Sequence, residues 1–242
     1  MNVTPFNFND FTISKISHYK IFHELKCDQD LYGKELYGND DSSLKSYQHC
    51  LVLSFIRSFI PVGSRILDVG GGTSRISNLL QNEYECWIID KFEGRGNGPI
   101  TTPKGNFKIV KDYIGNFNTE LPDYYFDLVF SVSVLEHVPE DENVWKRIRD
   151  DIRRVMVRNG YSIHCIDVTL RNGWVCSNGI LWNIFKEEKT FNQKKSGGFK
   201  EIDNENDLFT LQRSDYDKNW KHLVGGKTYE EWGKTFSYNV LW

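Results

Sequence analysis

From Ser64 to Val168 the chain alternates short apolar runs with stretches whose apolar residues recur every three or four positions. Ile66, Leu67 and Val69 form one run, broken only by Asp68, as in a strand buried on both faces. Beyond Gly72, Ile76, Leu79 and Leu80 recur at helical spacing. "CWIID", Cys86 to Asp90, reads as a second buried strand ending in an acid, and "FKIVKD", Phe107 to Asp112, as a third. "FDLVFSVSVLEHV", Phe126 to Val138, is a strand running into a loop or helix start. "NVWKRIRDDIRRVMV" then puts Val144, Ile148, Ile152 and Val155 on one helical face and Arg and Asp on the other, with Asn159-Gly160 as its stop. "YSIHCIDV", Tyr161 to Val168, is the next strand, and "FSYNVLW" at the end of the chain closes the sheet. Repeated β-α-β alternation predicts an α/β fold with a doubly wound parallel sheet.

The flanks are less regular. "SHYKIFHELK" predicts a short helix with Ile21, Phe22 and Leu25 inward, and Leu44 to Ile60 a longer one that Pro61 and Gly63 end. After Val168 an Asn-, Lys- and Gly-rich stretch is too long for a plain connection and predicts a cap or lid, with "FNQKKSGGFK" as a mobile tip. The expected organisation is an N-terminal cap segment (1–45), a ligand-binding core (46–168), a substrate lid (169–230) and a closing strand (231–242).

Composition narrows the function classes. A net charge of −3 gives no general electrostatic case for nucleic acid. No apolar segment is long enough to span a bilayer, and the N-terminal stretch lacks the basic head and apolar core of a signal peptide, so the expectation is a cytoplasmic protein without membrane contact. The five cysteines form no C-x-x-C pair and are odd in number, which argues against a disulfide framework or zinc knuckle. Cys86 and Cys165 read as small core residues. The sequence leaves a homodimer open.

"SRILDVGGGTSRISNLL", Ser64 to Leu80, is strand, glycine turn, helix. Such a turn brings backbone N–H groups and a helix start close to a ligand. In a parallel sheet, acids at Asp68, Asp90 and Asp112 share the carboxyl edge, where ligands bind at the switch point. A nucleoside fits: Asp90 accepts from the ribose hydroxyls and Asp112 from an exocyclic adenine amine. A nicotinamide dinucleotide is the rival, but its third glycine position is Arg75 here, which loses the close helix–strand approach.

Taken together, "ILDVGGGTSRIS", "WIIDKF", "KIVKDY" and "FDLVFSVSVLEHV" resemble the class I S-adenosylmethionine-dependent methyltransferases, over roughly Ser64 to Val168. The resemblance implies a Rossmann-like seven-stranded sheet with a reversed last strand and S-adenosylmethionine along the strand ends. Carried onto this chain, the cofactor set is Asp68, Gly70, Gly71, Gly72, Asp90, Lys91, Asp112, Tyr113 and Ser131. Ser74 departs from the family's frequent glycine and should tighten the loop. "HCIDV", His164 to Val168, resembles bacterial glycan and surface-polysaccharide methyltransferases, although "TLRNGWV" does not continue that likeness.

Methyl transfer to an alcohol needs the nucleophile oriented and its proton removed. His137, just past the fourth strand, and His164 with Asp167 on the fifth are the catalytic candidates. Each has a structural alternative: a cap for Glu136 and His137, a core histidine for His164, a loop contact for Asp167. A magnesium site at His164, Asp167 and Glu136 is weighed, but no ligand spacing is diagnostic, and no metal is assigned. His18, His23, His49 and His222 suggest only surface or cap contacts. The acceptor expected is a small polar molecule, a sugar or sugar nucleotide of bacterial surface polysaccharide, with Lys194, Lys195 and Lys200 available to a phosphate. Other small-molecule O- or N-methyl transfer, a dinucleotide-dependent oxidoreductase and a non-catalytic cofactor-binding protein are the alternatives.

Overall fold

The computed structural model describes residues 7–94, 98–176, 180–187 and 198–242. Its spine is a seven-stranded mixed sheet: β1 (Arg65–Val69), β2 (Glu85–Ile89), β3 (Lys108–Val110), β4 (Phe126–Val132), β5 (Met156–Arg171), β6 (Trp174–Val175) and β7 (Lys234–Leu241). β1 pairs in parallel with β2 and β4, β2 with β3, and β4 with β5. β7 runs antiparallel to β5, with Ile163 opposite Leu241 and Leu170 opposite Lys234. The sheet thus has the doubly wound order and reversed last strand expected, and its switch point lies between β1 and β4.

Helices cover both faces. On one lie α1 (Tyr19–Glu24), α2 (Cys27–Tyr32), α3 (Leu44–Phe59) and α4 (Arg75–Leu80), packed with Ile66, Phe130 and Cys165. On the other lie α5 (Glu142–Val155) and α6 (Leu181–Glu187), packed with Leu67, Val129 and Ile166. α3 begins with a capping box in which Ser43 and Ser46 satisfy each other's backbone N–H groups. Asp141 caps α5, its carboxylate accepting from the N–H groups of Asn143 and Val144. The α5 stripe buries Ile148, Ile152 and Val155 as expected, with Trp145 rather than Val144 at its head.

Two element boundaries differ from expectation. α5 ends at Val155, and Asn159-Gly160 lies inside β5 rather than stopping the helix. The pairing register jumps there, from Phe126 opposite Met156 to Leu128 opposite Tyr161. A Cβ on Gly160 would stand 3.1 Å from the carbonyl oxygens of Phe126 and Asp127, so the glycine admits a close approach to β4. Regular structure also continues past Val168. β5 runs to Arg171 and turns back through Asn172 and Gly173, both at positive φ, into β6.

The outer edge of β7 is covered. Ile13 bridges Tyr238 and Thr210 bridges Phe236, with Ser14 N–H donating to the Ser237 carbonyl at 2.9 Å. Thus the N-terminal segment and residues around 210 shield an edge that would otherwise be open to pairing.

Candidate functional site

The glycine loop leaves β1 at the switch point. Gly70 and Gly72 have φ of +66° and +53°, a region L side chains rarely adopt. A Cβ on Gly70 would lie 2.6 Å from a Val134 methyl, and one on Gly71 2.6 Å from the Asp68 carboxyl carbon. Asp68 is buried beneath the loop and accepts from the Ser74 hydroxyl. That hydroxyl also accepts from Ser77 N–H at 3.0 Å, capping α4. Ser74, at φ +29°, therefore ties the loop to Asp68 in place of the frequent glycine. Burial pushes the Asp68 carboxyl up to about 7, against the Ser74 hydrogen bond.

Asp90 stands at the end of β2. Its carboxylate accepts from Gly72 N–H at 3.0 Å and Phe92 N–H at 2.7 Å, which fixes it against the loop and leaves further lone pairs for ligand hydroxyls. Asp112 follows β3 and accepts from Tyr113 N–H at 2.8 Å, Asn116 at 2.6 Å and Asn118 at 2.9 Å. Burial opposes but does not outweigh those bonds, and its pKa is lowered. Lys91 is exposed 6.0 Å over the Tyr113 ring, and the Tyr113 hydroxyl donates to Glu93 at 2.5 Å. Arg75 turns away: its guanidinium lies 4.6 Å over Tyr32 and donates to the Leu31 carbonyl at 2.8 Å.

Ser131 and His164 are placed in the core. Each is fully buried. The His164 Nδ1 meets the Ser131 hydroxyl and its Nε2 the Ser162 hydroxyl, both at 2.7 Å, and Trp242 packs on the ring. Burial takes its pKa down to about 3. With both nitrogens occupied it is a core histidine, and Ser131 is its partner. His164 and Asp167 lie three apart on one strand and so face opposite sides of the sheet. That separates the proposed His164–Asp167 pair and the metal constellation built on it. Among the described residues no group of three or more His, Cys, Asp or Glu is arranged to hold a metal ion.

The other candidates converge. β4 ends at Val132, Ser133 takes φ +50°, and Leu135–His137 form one 3₁₀ turn. Asp167 is 9% exposed and accepts from the Gln48 amide at 2.6 Å. The same Gln48 accepts from the Ser133 hydroxyl at 2.7 Å. His137 is exposed, yet enough protein surrounds the ring to lower its pKa, Asp167 opposing the shift and Lys45 adding to it. Burial raises the Asp167 pKa, with Lys45 and Gln48 opposing. The Lys45 ammonium donates to the Val132 carbonyl at 2.7 Å. An exposed histidine electrostatically linked to a buried carboxylate is an arrangement that can take a proton.

Lys45, Gln48 and Ser133 were not anticipated. Gln48 carried a signal: it interrupts the apolar stripe Leu44, Leu51, Phe55 on the inner face of α3. His18, His23 and His49 are also more than surface residues. His18 is buried against the Tyr47 hydroxyl at 2.5 Å, His23 meets Asp28 at 2.5 Å and His49 meets Tyr32 at 2.6 Å. Lys194 and Lys195 lie outside the described residues, as does most of the "FNQKKSGGFK" stretch, and of Lys200 only the backbone is described, in α7 (Gly198–Asp203). No described helix is long and apolar enough to cross a membrane.

Residues 67–164 match a family model described as a methyltransferase domain. No curated protein matches the chain. Among solved structures, a SAM-dependent methyltransferase from Archaeoglobus fulgidus is 25% identical, covering 51% of this chain and 55% of its own, with a TM-score of 0.40. A TehB-like SAM-dependent methyltransferase from Corynebacterium glutamicum is 18% identical over 66% of this chain and 77% of its own, TM-score 0.38. An arsenic(III) S-adenosylmethionine methyltransferase from Chlamydomonas reinhardtii is 18% identical over 55% and 47%, TM-score 0.36. The chain spans about half the length of the first of these structures.

Proposed function

We propose that the chain, whose residues 67–164 match a methyltransferase domain model, transfers the sulfonium methyl of S-adenosylmethionine to a hydroxyl of a small polar acceptor. The observation that carries this reading is the pairing of two sites on one sheet edge. Asp90 is pinned to the glycine loop by Gly72, and on the other side of the switch point stand His137, on the turn after β4, and Asp167, on β5.

Gly70 and Gly72 let the cofactor approach the backbone, and Asp68 braces that loop through Ser74. Asp90 accepts from the ribose hydroxyls, and Asp112, with Lys91 and Tyr113 beside it, borders the adenine side. The bound cofactor supplies an electrophilic methyl. His137 takes the acceptor's proton, and the Asp167 carboxylate stabilises the imidazolium. The lowered His137 pKa keeps the ring neutral, as a base requires. A sugar or sugar nucleotide remains the acceptor class proposed, on the likeness of "HCIDV" to glycan methyltransferases.

The first test is a thermal-shift panel of S-adenosylhomocysteine, NAD and NADP. A ligand at 100 times its dissociation constant stabilises by about 2.7 kcal/mol. Stabilisation by S-adenosylhomocysteine alone is the expected result. Stabilisation by a dinucleotide alone overturns the reading in favour of an oxidoreductase.

A further inference from the structure

The 3₁₀ turn after β4 contains one acid, Glu136. Both of its carboxyl oxygens are buried, and neither has a hydrogen-bond partner among the described residues. Its neighbour is the second buried acid, Asp167: burial first, and then the Asp167 charge, raise the Glu136 pKa well above the carboxylate range. An unpartnered buried carboxyl is costly, and two together are costlier, because like charges desolvated side by side cannot both ionise.

Its own backbone N–H, that of Asp167 and the Lys45 charge act against this rise without outweighing it. From α3, Lys45 is the nearby cation, but its ammonium is bonded to the Val132 carbonyl. Gln48 is occupied by Asp167, Ser133 and Ser237. His137, on the same turn, is shifted towards its neutral form, and Cys165 on β5 is held as a neutral thiol by burial. The turn also abuts the glycine loop, since a Gly70 Cβ would collide with Val134, two residues before Glu136. Two acids, one of them without a side-chain partner among the described residues, therefore lie where the cofactor loop meets the acceptor side. A neutral hydroxyl would satisfy one lone pair and leave the pair sharing a proton. A positive charge satisfies both.

We propose that Glu136 and Asp167 form a subsite for an onium centre, either the cofactor's sulfonium or a protonated amine carried by the acceptor. This rests on the methyltransferase reading above. It adds a recognition role for Glu136, which that reading leaves unused.

The test is calorimetry of S-adenosylhomocysteine, which is uncharged at sulfur, and sinefungin, which carries an amine there, on the wild type, Glu136→Gln and Asp167→Asn. If the sulfonium is the occupant, the affinity for sinefungin relative to S-adenosylhomocysteine falls at least tenfold in Glu136→Gln, while S-adenosylhomocysteine itself still binds. A second arm adds methylammonium chloride, against sodium chloride, to the S-adenosylhomocysteine complexes. A Glu136-dependent rise in melting temperature, with the sinefungin ratio unchanged, assigns the charge to the acceptor. An unchanged ratio in both variants together with no methylammonium response overturns the proposal. Failure of the wild type to bind S-adenosylhomocysteine overturns the cofactor reading instead, and the subsite with it.

Discussion

Asp90 fixes the glycine loop through Gly72 N–H, and the function proposed gives its remaining lone pairs to the ribose hydroxyls. Asp90→Ala is expected to lower S-adenosylhomocysteine affinity at least tenfold, since hydrogen bonds to a charged group contribute roughly 1.5–3 kcal/mol. Calorimetry checks this, and unchanged affinity would remove Asp90 from the site. His137 makes a complementary prediction. His137→Ala should slow single-turnover methyl transfer by roughly 10²–10⁴ and leave cofactor affinity almost untouched. Its lowered pKa places the acid limb of the pH–rate profile below 6.5, and that limb should vanish in the variant. Near-normal rates would point to proximity alone. At this scale the sequence was informative about which acids stand at strand ends. Asp68, Asp90 and Asp112 follow from position along the chain. It did not show that the side chains of His164 and Ser131 are buried, because a polar residue on a strand reads alike whether it faces solvent or a packed helix. Strand phase decided the matter: His164 shares the face of Ile166 and Val168, which is buried under the α5 side.

Elements were legible wherever one periodicity held. Strands β1, β2, β4 and β7 and helices α3 and α5 stand within a few residues of the apolar patterns that announce them. The errors fell at glycines with two readings. Asn159-Gly160 reads as a helix stop, but the stop is made by β5 pairing with β4 from Met156 onward. Asn172-Gly173 is a hairpin turn hidden in a stretch that reads as lid. Gly160→Val tests the first of these. Its Cβ would sit 3.1 Å from two β4 carbonyl oxygens and 2.6 Å from the Met156 side chain. The Met156 side chain has to move, and the β4 backbone has to give by a few tenths of an ångström, to accept it. A loss of more than ~1 kcal/mol, or about 2–4 °C in melting temperature for a chain of this size, is expected by thermal denaturation. An unchanged melting temperature would mean that β4 and β5 are not closely packed at Gly160.

Across the whole molecule, three buried acids converge from different parts of the chain: Asp68 from β1, Glu136 from the turn after β4 and Asp167 from β5. Burial raises the pKa of each. This convergence was not legible in the sequence, because it depends on α3 closing over the sheet edge and placing Lys45 and Gln48 among them. It has a thermodynamic consequence. A carboxyl whose folded pKa lies above its unfolded value binds more protons folded than unfolded, so it stabilises most at low pH and loses that contribution as pH rises. For Asp68 the window runs from 3.8 to about 7. At about 1.4 kcal/mol per pH unit its share has an upper bound near ~4 kcal/mol. Half-buried carboxylates with lowered pKa, such as Asp112 and Asp127, slope the other way, so the informative quantity is a difference. Asp68→Asn keeps an oxygen to accept from Ser74 and removes the titration. Its stability relative to the wild type should therefore increase as pH rises from 4.5 to 7.5 in the absence of ligand. Denaturant melts at a series of pH values measure that difference. Saturating S-adenosylmethionine should shrink it, because a bound cation offsets the charge that Asp68 acquires. A difference that is flat with pH would mean that Asp68 is ionised throughout, with the glycine loop itself solvating the charge.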